Sequence, residues 1–223
     1  MTILRADSSV VELPLFQGED GGAIPTSALQ LFFRPIKYIT ANNFLIKWHY
    51  LHRQAPTSFS FGAYFNGEII GACTIGKPAS HTLINGVAGK EMASNVFELN
   101  RLCFLDEAPK NSESRFIGWV IRQMPKSTIL VSYADTKQGH SGIVYKATNW
   151  IYTGTTIPFT DYTLGDLDHR SIPKHLRDKS KMQKVVRSKK HRFVYFCDQS
   201  DKSLLKWGIL DWRQWKDYKE ESA

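Results

Sequence analysis

Ser58-Phe59-Ser60-Phe61-Gly62-Ala63-Tyr64-Phe65-Asn66-Gly67-Glu68-Ile69-Ile70-Gly71-Ala72-Cys73-Thr74-Ile75 is the stretch on which the fold reading turns. Two strand-like runs flank Asn66-Gly67. Both central residues of such a turn accept positive φ, so the pair predicts an antiparallel hairpin. Downstream, Val96 to Leu105 reads as a further strand. Asn111-Ser112-Glu113-Ser114 then supplies caps for a helix carrying Phe116, Ile117, Trp119, Val120 and Ile121, which Pro125 closes. Thr128 to Tyr133 is a buried-type strand, Gly142 to Trp150 a helix with Ile143, Val144, Ala147 and Trp150 inward, and Ile151 to Thr153 a short strand. Arg192 to Phe196 reads as a late strand. Upstream, Leu31 to Tyr38 is an edge strand because of Pro35. Thr40 through Arg53 reads as a helix with Phe44, Leu45, Trp48 and Leu51 on one face. Residues 76–95, rich in Gly, Ser and Asn, read as a loop. A hairpin followed by strand, helix, strand, helix and strand predicts an α/β (α+β) fold, a mixed central sheet flanked by helices in a single domain.

The domain expected from this pattern covers 31–223, preceded by an irregular lead-in at 1–30. The chain has 223 residues, 42% hydrophobic and 22% charged, which is a globular composition. No apolar run reaches the ~20 residues that span a bilayer, so no membrane partner is expected. The start Met1-Thr2-Ile3-Leu4-Arg5 lacks the layout of a secretory leader. Cys73, Cys103 and Cys197 are odd in number and far apart, forming neither a zinc spacing nor a disulfide framework. A reducing cytoplasm is the expected location.

The charge is concentrated. Residues 169–192 hold ten Lys/Arg and one acid, a net of +9 against +8 for the whole chain, so the remainder carries −1. Such a block suits a polyanion, since each neutralised phosphate releases counterions. Lys181, Lys184, Arg187, Lys189 and Lys190 are the candidate DNA-binding residues; a solvated basic face is the plainer alternative. Pattern alone leaves a helix or a partly mobile arm open for this segment. The C-terminal Trp207, Trp212 and Trp215 are expected to pack a closing element.

The element order, with the motifs inside it, resembles the GNAT N-acyltransferase fold. Glu98 to Leu105 looks like its fourth strand, Glu107 to Arg115 falls where that family places its pyrophosphate loop, and Ile129 to Asp135 resembles its fifth strand. The usual Gly-rich turn is replaced by Asn111-Ser112-Glu113-Ser114-Arg115. A closer resemblance is to the Mom family of phage DNA-modification proteins. It is carried by Tyr133-Ala134-Asp135-Thr136-Lys137-Gln138-Gly139-His140-Ser141-Gly142-Ile143-Val144-Tyr145, by Asn149 to Gly154, by Trp48-His49-Tyr50 and by Glu98 to Leu102. That resemblance implies a transferase acting on double-stranded DNA. It would add a carbamoylmethyl (acetamide-like) group to adenine N6 and so protect the DNA from host restriction. It also implies an acyl donor, acetyl-CoA or another acyl or aminoacyl donor. Two other functions stay open: an N-acyltransferase on a different amine, in tRNA or protein, and a non-catalytic nucleic-acid-binding protein on the same scaffold.

The catalytic candidates are Asp135, Tyr145, His49 and Tyr50. Asp135 ends a buried strand, a common place for a functional group in an open α/β sheet, though a turn or cap role would also explain it. Tyr145 matches the GNAT tyrosine that protonates a leaving group; a satisfied core tyrosine is the alternative. His49 is a candidate base, and with His52 half of a weak iron or zinc site if i and i+3 share a helix face. Tyr50 is one of several aromatics able to stack on a flipped base. Arg101, Ser112, Ser114 and Arg115 are the cofactor-binding candidates. Arg101 is expected on the same strand face as Leu99 and Cys103 and needs an anionic partner, a ligand or Glu98 or Asp106. The other three head a helix, where free amides and the dipole favour an anion; capping alone also accounts for Ser112.

Overall fold

The computed structural model describes residues 24–211 except 158–159, 165–166, 169–171, 173–174 and 176–177. Most of the lead-in, Arg170, Lys174 and Arg177 of the basic segment, and Trp212 and Trp215 lie outside the described residues. The chain folds as β1 (Phe32–Pro35), α1 (Tyr38–Trp48), β2 (Phe59–Phe65), β3 (Glu68–Gly76), α2 (His81–Ala88), β4 (Val96–Phe104), α3 (Ser112–Gln123), β5 (Ile129–Asp135), α4 (Ile143–Ala147), β6 (Ile151–Thr155), β7 (Thr160–Leu164), β8 (Leu167–Asp168), β9 (Gln183–Val186) and β10 (Lys190–Phe196). Seven strands form one sheet in the order β1-β2-β3-β4-β5-β10-β6, and three form a small sheet, β8-β7-β9. Only β4 and β5 pair in parallel within the large sheet. The mixed α/β class expected from the element order is the one observed.

The hairpin forms as its turn chemistry requires: Asn66 and Gly67 both take positive φ, 49° and 88°, and β2 pairs antiparallel with β3. Pro35 ends β1 at the sheet edge, where its missing N–H costs no ladder bond. Alternation along the central strands divides the interior into two cores. Leu130 and Phe193 join Phe44, Leu45, Phe116 and Ile117 in the larger one. Their neighbours Ile129, Val131 and Val194 join Val87, Val96 and Phe196 in the smaller.

Several elements depart from the sequence expectation. Residues 76–95 contain α2 and a 3-10 turn at Lys90–Asn95 instead of a loop. Ser80 caps α2 through Leu83 N–H at 3.2 Å, and Val87 and Ala88 bury against the smaller core. Tertiary burial thus outweighs the poor helix propensity of Thr82, Asn85 and Gly86. Helix α1 stops at Trp48, not Arg53. The basic segment is neither helix nor free arm in its described part: it forms a 3-10 turn, edge strand β9 and the start of β10. Ile143 and Ala147, expected inward, are exposed.

Two features of β4 shape the cleft. The β3–β4 register shifts by one residue between Thr74↔Arg101 and Ile75↔Leu99, which makes Asn100 a bulge. Thr74 and Ile75 face opposite sides, so Arg101 and Leu99 do too, contrary to the period-two expectation. Asn100 is held in the bulge by a 2.7 Å bond from Thr74 Oγ1 and by its own 2.7 Å donation to the Pro56 carbonyl. Parallel pairing with β5 then ends at Leu99↔Ser132, although β4 runs on to Phe104 and β5 to Asp135. Beyond that pair the strands separate, and a cavity opens in the split.

Candidate functional site

The cavity has a volume of about 260 Å³ and is walled by His49 and Tyr50, by Leu99 to Leu102 of β4, by Glu113 of α3, by Tyr133 and Ala134 of β5, and by Gly139 to Tyr145. It therefore gathers four of the sequence candidates: His49, Tyr50, Arg101 and Tyr145. Asp135 stands just outside this lining.

Tyr145 is buried, and its hydroxyl lies 2.7 Å from Ser132 Oγ. Ser132 donates to the Leu99 carbonyl at 2.8 Å, so Tyr145 donates to Ser132 in a two-step chain. Burial pushes the Tyr145 phenol up, and the Ser132 bond offsets this only in part. The phenol keeps its proton at neutral pH and acts as a hydrogen-bond donor. Gly142 caps α4 with φ 69°, and a Cβ there would lie 2.3 Å from the Phe193 ring, so glycine alone lets this helix approach the cleft.

His49 follows the last turn of α1. Its Nδ1 accepts from Leu51 N–H at 3.1 Å, which puts the ring proton on Nε2 in the neutral form. Burial, then the charges of Arg101, His140, His52 and Lys190, lower its pKa to about 3. His49 is thus neutral, with Nε2–H as a donor. Its ring stacks on Tyr50 at 4.4 Å, and Tyr50 meets His140 edge-on at 5.8 Å. Tyr50 is partly exposed at the cavity wall. The His49–His52 metal pairing is not assembled: α1 has ended, His52 takes φ 44°, and its Nδ1 donates back to the Ile46 carbonyl at 2.9 Å. Among the described residues no group of three or more His, Cys, Asp and Glu gathers as a metal site.

Asp135 spends both oxygens. Oδ1 accepts from Lys137 N–H at 3.0 Å and Ser188 Oγ at 2.6 Å, and Oδ2 from Lys190 Nζ at 2.6 Å. Burial pushes its carboxyl up, but the bonds from Lys190 and Ser188 outweigh burial and hold it below the usual range. Asp135 caps the 3-10 turn Thr136–Gln138 and not α4, whose cap is Gly142, and the same carboxylate pins the basic segment to the end of β5. Thr136 adds a bond to the Lys189 carbonyl at 2.7 Å.

Arg101 is half-buried and donates to the Asn100 carbonyl at 2.6 Å. The helix-head trio goes elsewhere. Ser112 is buried, with Oγ donating to the Pro109 carbonyl at 2.5 Å. Ser114 donates to Asn111 at 3.1 Å. Arg115 donates to the Ala28 and Leu31 carbonyls at 2.9 and 3.0 Å and lies over the Phe33 ring. Ser114 and Arg115 border a second cavity of about 480 Å³ with Lys110, Asn111 and Ser27.

Of the basic candidates, Lys181 and Lys184 are exposed, Lys189 is half-exposed, Arg187 pairs with Asp161, and Lys190 pairs with Asp135. The sequence reading missed Ser132, Glu113 and Asn100. A lone serine inside the apolar run 128–133 was the available signal for Ser132. Glu113 was legible only as a capping residue, because nothing in one sequence tells which way the first turn of α3 faces.

Among solved structures, a putative acetyltransferase, YncA, from Salmonella typhimurium with acetyl-CoA is 9% identical, with a TM-score of 0.48, covering 76% of this chain and 95% of its own. NAA60 of Arabidopsis thaliana in complex with acetyl-CoA is 13% identical, with a TM-score of 0.48, covering 74% and 99%. A curated relative, the methylcarbamoylase Mom of Escherichia phage Mu, is 25% identical over 153 residues, which is 66% of this chain and 64% of the relative's own length. The Mom protein family matches residues 30–214, a span that takes in the split sheet, the cleft and the strap that Asp135 holds, and on that match the chain belongs to the Mom protein family.

Proposed function

We propose that the protein is a DNA-modifying transferase that adds a carbamoylmethyl group to adenine N6. The observation that carries this reading is the link from cleft to basic segment: Asp135, at the end of the strand that forms the cleft wall, binds Ser188 and Lys190 directly. A phosphate-gripping element tied to a catalytic wall holds a polyanion where one of its bases can enter. Adenine N6 is a weak nucleophile because its lone pair is delocalised, so orientation and proton removal carry much of the work. The base must leave the duplex stack to reach the cavity. Tyr50, stacked on His49, offers it a π surface.

The fold resemblance implies an acyl-CoA. The residues present fit such a donor: beyond Leu99 and Ser132 the facing edges of β4 and β5 are not paired to each other, which suits an extended amide-bearing arm. Leu99 to Leu102, Tyr133 and Ala134 would hold the arm. Lys110, beside the second cavity, would meet the diphosphate, since the Ser112, Ser114 and Arg115 side chains donate to backbone carbonyls. Such a donor would supply an activated carbonyl carbon and a thiolate leaving group, which by itself makes an N6-amide; a carbamoylmethyl product, joined to nitrogen through its methylene, requires a donor activated at that methylene or a rearrangement after acyl transfer. Arg101 brings positive charge to the wall and His49 presents Nε2–H, so the cleft can stabilise developing negative charge, and the Tyr145 hydroxyl would add a donor only by turning from Ser132.

Nucleoside mass spectrometry on DNA from cells expressing the protein tests the reading. An adenosine adduct of acetamide-sized mass is expected. Unmodified DNA beside soluble protein refutes it, and RNA from the same cells then tests transfer to another acceptor.

A further inference from the structure

We propose that Glu113 is the catalytic residue that accepts the proton of the attacking amine. This rests on the transferase reading above. Glu113 lies in the first turn of α3 and is the one carboxylate among the residues described as lining the cavity.

Most of the other titratable walls are poorly suited to the task, and the rival is His140, exposed on the loop before α4 and edge-on to Tyr50; a His140→Gln variant that loses the rate while Glu113→Gln keeps it moves the assignment to His140. His49 has Nδ1 occupied and carries its proton on Nε2. Tyr50, Tyr133 and Tyr145 have phenols pushed up, in each case first by burial. Arg101 is a permanent cation. Asp135, the carboxylate that the sequence points to, lies outside the lining and has both oxygens bonded. Glu113 differs from these residues. Its side chain is solvent-accessible, lines the cavity and is engaged by no ion pair or side-chain hydrogen bond among those described. Partial desolvation beside the cavity walls raises its carboxyl, with the His140 charge pulling partly back. It opens onto the same cavity as Leu102 of β4, Tyr133 of β5 and Tyr145 of α4.

The step balances as follows. The amine nitrogen forms a bond to the activated carbon of a donor carrying an anionic leaving group. The donor's bond to that group breaks with its electron pair. The N–H proton passes to the Glu113 carboxylate, and the negative charge once on Glu113 leaves with the departing anion.

The test measures adenine adduct in DNA added to extracts of expressing cells, which supply the donor. Glu113→Gln is expected to lower the initial rate about 100-fold or more while duplex affinity stays at the wild-type value. Glu113→Ala is expected to regain rate on adding formate, and Glu113→Asp to keep part of it. Wild-type rate in Glu113→Gln, or no formate rescue of Glu113→Ala, overturns the assignment of Glu113 alone. No adduct from the wild type overturns the transferase reading and this inference with it. Loss of duplex affinity in both Glu113→Gln and Glu113→Asp assigns Glu113 a structural role and also overturns it.

Discussion

Tyr145 Oη lies 2.7 Å from Ser132 Oγ, and Ser132 is the last residue of β5 that pairs with β4, through Leu99. The Ser132 proton goes to the Leu99 carbonyl, so one short chain of hydroxyls bolts α4 to both strands at the point where they part.

Tyr145→Phe separates the structural from the chemical use of that hydroxyl. The variant leaves a Ser132 lone pair without its donor and is expected to lose about 1 kcal/mol of stability. Adduct formation is expected to fall about 100-fold. Denaturant midpoints and adduct levels are measured on the same preparation. A stable variant that modifies DNA normally leaves Tyr145 a core residue only.

Asp135→Asn tests the strap. It removes the charge that faces Lys190 across 2.6 Å, and a partly buried charge-assisted bond of this kind contributes about 2 kcal/mol. The folded-state carboxyl is held below its unfolded value, so its contribution is present above the usual carboxylate pKa and lost as pH falls through the depressed one. The stability gap between wild type and variant should stay constant from about pH 8 to about pH 5 and narrow only in stronger acid. A gap that closes near neutrality contradicts the assignment.

Two histidines set the wider acid limit. His49 is lowered to about 3, first by burial and then by Arg101. His191, buried between β5 and β6 with Nδ1 3.0 Å from the Tyr152 hydroxyl, is lowered to about 4 by burial. Unfolding frees both to take protons, so stability falls as pH drops below their ordinary value, each adding a slope of up to about 1.4 kcal/mol per pH unit. Chemical denaturation at stepped pH should show this slope between about pH 6 and about pH 4, and His191→Gln should reduce it. A wild-type profile flat over that window rules the effect out.

The hairpin, β4, α3, β5 and β10 were legible because each follows from a local rule: a turn pair that tolerates positive φ, a period of two, a period of 3.6; the side-chain cap expected at the head of α3 does not form, since Asn111 makes no cap bond. What escaped depended on partners distant in sequence. Helix α2 exists because Val87 and Ala88 bury against β4, β5 and β10 residues. The bulge at Asn100 is held by Thr74 and Pro56, and it alone moves Arg101 to the face opposite Leu99. The cleft candidates fared likewise. His49, Tyr50, Arg101 and Tyr145 do converge, whereas Arg115 finds carbonyls more than eighty residues away. Lys190 looked like a phosphate ligand until β10 brought it against Asp135.

That pairing redistributes the expected DNA contacts within the basic segment. Lys190 and Arg187 already hold carboxylates, so their loss acts first on structure. Lys184 is exposed on edge strand β9. Among the described residues Lys181 has an exposed pairing with Asp178 at 3.9 Å, which is too weak to withhold it from a phosphate. Lys181→Gln and Lys184→Gln are each expected to lower the slope of log affinity against log salt by about 1 while leaving the melting temperature unchanged. Arg187→Gln is expected to lower the melting temperature, because Asp161 on β7 is then left with its charge and without the cation from beside β9. Fluorescence anisotropy on a labelled duplex across a salt series reads the first effect, and thermal denaturation reads the second. If the Lys181 and Lys184 variants keep the wild-type slope, the exposed part of this segment does not meet phosphate, and the polyanion must dock on another face of the protein.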